Sequence, residues 1–123
     1  MNADVERLVA DSGELLAVSG LATTAGRWTT VLFQFSKGSL ILGCEDDTDE
    51  VLASTDDSEV DTGIPIEELA DLVGMTVEYA WELRNHRGYW DAFQLRFVDP
   101  SGHIETRQFE VAAPAIDVRR IDI

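Results

Sequence analysis

The stretch from Thr76 to Phe97, T-V-E-Y-A-W-E-L-R-N-H-R-G-Y-W-D-A-F-Q-L-R-F, constrains this chain more than any other. Val77, Tyr79, Trp81 and Leu83 alternate with Glu78, Ala80, Glu82 and Arg84. Beyond Gly88, Phe93, Leu95 and Phe97 alternate with Ala92, Gln94 and Arg96. A period of two on both sides of a glycine predicts one long antiparallel hairpin with an apolar face, and the rest of the chain can be arranged around it.

The two arms test each other's register. If His86, Arg87 and Gly88 form a three-residue loop with Gly88 left-handed, Trp81 opposes Phe93, Tyr79 opposes Leu95 and Val77 opposes Phe97. On the other face Glu78 then meets Arg96 as an ion pair, and Arg84 meets Trp90 as a cation–π pair. A two-residue loop would set Phe93 against Glu82 and Trp81 against Gln94, so the three-residue loop is expected. In this register Asp91 is in line with Phe93, Leu95 and Phe97. A carboxylate on a core face must be solvated, hydrogen-bonded or paired, or hold a proton, and perturbed carboxylates are common at functional sites. The tip's backbone, Asn85 and Arg87 are its expected partners; a functional role is the alternative.

A length of 123 residues fits a single domain, 1–123. The apolar fraction of 45% and ten aromatics are those of a folding chain rather than a disordered one. Cys44 is the only cysteine, which excludes an intramolecular disulfide and leaves no Cys/His cluster for structural zinc. The N-terminus has acids where a signal peptide needs bases, and no apolar run approaches the ~20 residues of a membrane span. A soluble, cytoplasmic protein is expected. With 24 acids against 9 bases, the net charge of −15 repels nucleic acid and anionic membranes and would steer a basic protein toward the chain. A salt-rich cytoplasm would explain the same acidity without any partner.

Around the hairpin the expected order is a short helix over 3–10, with Val5, Leu8 and Val9 on one side, then a strand over Glu14–Leu21. A second strand over Trp28–Phe35 has Val31, Phe33 and Phe35 on one face. Ser36-Lys37-Gly38 turns the chain, with a positive φ at Gly38, into a strand over Ser39–Cys44. Glu45–Asp61 holds nine acids and no base, and within it Glu50–Ser54 reads as a short edge strand. Pro65–Val73 reads as a two-turn helix with Ile66, Leu69 and Val73 toward the sheet and Gly74 past its end. After the hairpin, Asp99-Pro100-Ser101-Gly102 is a type I turn signature. A four-residue loop there pairs Phe97 with Ile104 and Arg96 with Glu105, and requires a bulge between Thr106 and Gln108 to bring Phe109 inward. Ala115–Ile123 forms the last strand, with Ile116 and Val118 inward. The fold class is α+β: a curved antiparallel sheet of about seven or eight strands built from hairpins, one short helix at 65–73 and a short N-terminal helix.

No nucleophile–base–orienter set is present: His86 and His103 are the only histidines, and no G-x-S-x-G, H-E-x-x-H or phosphate loop occurs. No catalytic residues and no cofactor are assigned. Asp57, Glu59, Asp61, Ile64 and Glu68 have nearly the spacing of a calcium loop. The glycine comes one place late and Pro65 intrudes, so no metal site is assigned either. What remains is the hairpin tip. Asn85, His86, Arg87, Tyr89, Trp90 and Asp91 are the binding candidates, an aromatic and arginine cluster of the kind that dominates protein interfaces.

The segments L-L-A-V-S-G-L and V-L-F-Q-F-S-K-G-S-L-I-L, the acidic run and the tip carrying Asn85, Gly88, Tyr89 and Asp91 resemble a group of small acidic bacterial domains of unknown function. That resemblance implies an immunity-type protein that neutralises a toxin. The leading expectation is a non-enzymatic binding protein for a basic protein partner. The alternatives are a small-ligand domain or minor enzyme with a pocket near Asp91 and Tyr89, and a salt-adapted structural protein. A homodimer is left open.

Overall fold

The computed structural model describes residues 1–22, 26–45, 50–55, 63–111 and 115–121. The acidic residues 46–49 and 56–62, most of the calcium-like spacing and the break at 112–114 lie outside them. Helix α1 spans Ala3–Ala10, followed by β1 (Leu15–Ala22), β2 (Trp28–Phe35), β3 (Gly38–Glu45), β4 (Glu50–Ser54) and the two-residue β5 (Ile64–Pro65). A 3₁₀ helix, Glu67–Leu72, leads into β6 (Thr76–Arg84), β7 (Trp90–Val98), β8 (Ile104–Val111) and β9 (Ile116–Ile121). The expected α+β class with a curved antiparallel sheet is the one observed.

All strand pairs are antiparallel, in the order β4-β3-β2-β9-β8-β7-β6, with β1 on the other edge of β2. The sheet curls until Glu14, just before β1, bridges Thr76 at the start of β6. This brings the inner faces together around Phe33, whose ring lies 6.2 Å from Phe97 and meets Phe109 edge-on at 5.4 Å. Phe33, Phe93, Phe97 and Phe109 are fully buried, and truncation of any of them to alanine would cost about 3–5 kcal/mol. β4 is an edge strand as expected, and it packs back onto β7 and β8.

Helix α1 begins where Asn2 Oδ1 accepts from the Val5 amide at 2.8 Å, satisfying one of the unpaired first-turn donors. Val5 enters the core, with Leu8 and Val9 packed beside it. The helix lies against β3, β4 and β6, so it covers both end strands of the sheet path. Gly38 has a positive φ, at 158°, and the closer demand for glycine comes from α1: a Cβ there would lie 2.8 Å from Leu8 Cδ1.

Three expectations are corrected. The helix expected from Pro65 starts two residues later and is 3₁₀; Pro65 pairs with Ser19 instead. Three residues per turn align Ile66, Leu69 and Leu72, which are buried, and leave Val73 exposed.

The second correction concerns the long hairpin. Its ends have the expected register, Val77 with Phe97 and Arg84 with Trp90, but the middle is slipped by one residue. Glu82 faces Phe93, Trp81 faces Gln94 and Tyr79 faces Arg96. One extra residue on β6, Glu78, starts the slip, and one on β7, Asp91, cancels it. Tyr79 and Trp81 therefore turn outward, while Ala80 packs on the core and Glu82, half-buried, meets the Met1 ammonium at 3.5 Å. The physical reason is room. With α1 packed on β6 and Val5 inserted, an alanine fits on the inner side where an indole would not.

The third correction concerns β7 and β8. Val98 pairs with Ile104 and Phe97 with Glu105, with no bulge along the whole pair. The turn is tighter than a four-residue loop, since Asp99 donates its amide to His103 O and accepts from the Gly102 amide, both at 3.0 Å. In this register Phe109 faces Phe93 directly, and Arg107 is the residue turned inward beside Leu95. Only 4% of Arg107 is exposed, and its guanidinium bonds Asp71 at 2.8 Å and Glu105 at 3.0 Å. The 3₁₀ helix is thus tied to the sheet by a nearly buried charge.

Candidate functional site at the long hairpin

The tip is built by one side chain. Asn85 Oδ1 accepts from the amides of Arg87 and Tyr89 at 2.9 and 3.1 Å, and Gly88 takes a φ of 89°. The expected three-residue loop is present. Asparagine closes such a loop because its short amide mimics a backbone acceptor, and glycine because it tolerates the left-handed region. The next hairpin repeats the device, with Asp99 accepting from the Ser101 and His103 amides and Gly102 at 91°. These bonds hold the Asp99 carboxyl below its ordinary value, the Ser101 hydroxyl first among the causes.

Arg84 Nε donates to Gly88 O at 3.0 Å, and its guanidinium carbon sits 4.6 Å from the centre of the Trp90 ring, the cation–π pair expected from the sequence. The Trp90 amide donates to Glu50 Oε2 at 2.8 Å, so the base of the tip is fastened to β4. Tyr89 is exposed and Trp90 half-buried. His86 and Arg87 are exposed, and among the described residues neither side chain has a partner.

Asp91 departs from its expected place. As the extra residue of the β7 bulge it leaves the line of Phe93, Leu95 and Phe97 and borders a depression of about 360 Å³ with Leu83, Ala92, Gln108 and Glu110. Neither Asn85 nor Arg87 bonds it, and among the described residues its half-buried carboxylate has no side-chain partner.

The residues missed by sequence reasoning are Tyr79 and Trp81. Their rings stack at 5.5 Å and 28° on the outer face of β6, with 53% and 39% of each residue exposed. Gln94, opposite Trp81, donates to Gln108 at 2.9 Å, and Arg96, opposite Tyr79, reaches Glu78 at 3.9 Å. A continuous outer surface thus carries two aromatics, amides and an arginine up to the tip. Alternation alone placed both rings inside, and only the run of Glu78, Ala80 and Glu82 beside them bears on which face closes.

Among the described residues no three metal-ligating side chains cluster, and no helix is long and apolar enough to cross a membrane. The fold and the hairpin together define a small α+β protein with a curled antiparallel sheet and an exposed aromatic face. Over residues 1–122 the chain matches the model of a family of unknown function, DUF6334, and it belongs to that family. No curated protein and no solved structure matches it.

Proposed function

We propose that this protein is a non-enzymatic binding protein that uses the outer face of β6 and the hairpin tip to engage a basic protein, as an immunity-type inhibitor would. The observation that carries this reading is the exposed Tyr79–Trp81 stack, running toward a tip whose His86 and Arg87 have no partner among the described residues. Aromatic and arginine side chains dominate binding energy at interfaces, and a chain of net charge −15 speeds encounter with a basic partner. A cytoplasmic setting suits this role.

The test is affinity capture from the native host at low and at high salt, repeated with Tyr79→Ala, Trp81→Ala and Arg87→Ala. A basic protein retained by the wild type and weakened at least ~10-fold by these changes supports the proposal, since interface anchors lose more than about 1.4 kcal/mol on truncation. Absence of any basic protein, or retention unaffected by all three variants, overturns it.

A second reading rests on Asp91, whose carboxylate has no side-chain partner among the described residues and borders the depression beside Gln108 and Glu110. A small ligand held there would make binding sensitive to Asp91→Asn and insensitive to Trp81→Ala, the reverse of the first reading.

A further inference from the structure

At the end of the sheet away from the hairpin tip, β7, β8 and β9 enclose a depression of about 260 Å³ lined by Arg96, His103, Ile104, Thr106, Arg120 and Ile121, with Glu105 beside them. Arg96, Thr106 and Ile121 are successive cross-strand neighbours, so their side chains share the outer face. Among the described residues, two donors in this row lack acceptors. Thr106 is only 3% exposed, and among the described residues no hydrogen bond reaches its hydroxyl. Arg96 Nε is buried with no acceptor, and the guanidinium's ion pair to Glu78 is loose at 3.9 Å. Buried polar groups are satisfied in the great majority of cases, so the orphaned Arg96 Nε–H, beside a Thr106 hydroxyl free to donate, marks a place where an acceptor belongs.

Glu105 does not supply it. Its oxygens already receive Arg107 at 3.0 Å, Arg120 at 3.1 Å and His103 at 3.0 Å. On a chain with nine bases, two arginines and one of the two histidines border this one depression. Ile104 and Ile121 supply apolar surface beside these donors.

We propose that the depression binds a small oxyanion, phosphate, sulfate or a carboxylate, through the Arg96 Nε–H and the Thr106 hydroxyl. The site shares Arg96 with the outer face of the hairpin, and its test reads binding of a small anion rather than capture of a protein. Because the chain as a whole is strongly negative, anions are repelled at long range, and moderate added salt should screen that repulsion while leaving the close contacts intact.

The experiment is a titration of the ¹⁵N-labelled full chain with inorganic phosphate, sulfate and acetate, each against sodium chloride of equal ionic strength. Arginine Nε–H resonances and the thermal midpoint are followed together. One Nε–H resonance should shift saturably, with a midpoint in the millimolar range. Thr106→Val and Arg96→Gln should each weaken binding at least ~10-fold, Thr106→Ser should restore it, and Arg7→Gln, on α1, should leave it unchanged. Response to phosphate and sulfate alone identifies a tetrahedral oxyanion; response to acetate as well identifies a carboxylate site. Changes that do not saturate, that chloride reproduces, or that persist in both Arg96→Gln and Thr106→Val overturn the proposal. The wild-type resonance decides the matter even if a variant fails to fold.

Discussion

Replacing Arg107 tests the least expected feature of the core. Its side chain is 5% exposed, with Nη2 2.8 Å from Asp71 Oδ2 and Nη1 3.0 Å from Glu105 Oε2. Removing one member of a buried ion pair costs about 3–5 kcal/mol, because the remaining charge is left buried without compensation. The lower end applies here. Glu105 keeps His103 at 3.0 Å and Arg120 at 3.1 Å, and Asp71, half exposed, returns to water. Arg107→Ala should therefore lose about 3 kcal/mol, which for a domain of this size lowers Tm by roughly 10–15 °C. Arg107→Lys should lose about half as much, since one ammonium cannot span both carboxylates as the guanidinium fork does.

Urea unfolding followed by tryptophan fluorescence gives these values, provided the slope with denaturant is unchanged between variants. Double-mutant cycles then divide the loss. The coupling of Arg107 to Glu105 should exceed its coupling to Asp71, which as a half-exposed pair is held to about 1 kcal/mol or less. A loss below about 1 kcal/mol for Arg107→Ala, or a larger coupling to Asp71, would refute the reasoning. The first result would mean that the guanidinium is solvated, and the second that Asp71 rather than Glu105 is its main partner.

The Glu105 carboxyl is held below its ordinary value of 4.5, first by the His103 hydrogen bond and then by Arg107. A depressed carboxyl contributes stability that is present above its unfolded value and lost as pH falls through the folded one, so the advantage of wild type over Glu105→Gln should hold near neutrality and shrink below about pH 4.5. A constant difference in acid unfolding curves would contradict this. Trp81→Ala should cost about 1 kcal/mol, the scale of an exposed aromatic pair, whereas Phe93→Ala should cost about 3–5 kcal/mol; equal losses in chemical denaturation would return Trp81 to the inner face. Gly88→Ala places a Cβ at a φ of 89° and should cost about 1–2 kcal/mol in a thermal melt, with strand content unchanged by circular dichroism.

Much of the fold was legible in the residues. The strand positions, the N-terminal helix, the edge strand at Glu50–Ser54 and the left-handed Gly88 follow from period, branching and turn chemistry. The paired tips share a signal as well, since Asn85 and Asp99 each stand three residues before a left-handed glycine. Both register errors came from one premise, that residues in line with phenylalanines are apolar. Arg107 and Glu82 break it from the inner side, and Tyr79 and Trp81 break it from the outer. The candidate site was legible only at its tip. Its aromatic face and the placement of Asp91 depend on two single-residue bulges that cancel, and alternation cannot reveal a slip that begins and ends within one hairpin.

Sequence alone determined the local choices: which segments extend, where the chain reverses, and that the chain carries a net charge of −15. Those are settled by neighbours within a few residues, through φ/ψ preference and side-chain alternation. Tertiary structure decided which face of β6 is inside, that Arg107 turns inward against Asp71, and that Thr106 and Arg96 share one depression. Each of these depends on what packs against the strand from far along the chain. A one-residue slip exchanges the two faces of a strand, and only the fit of α1, the 3₁₀ helix and the opposing strands selects between them.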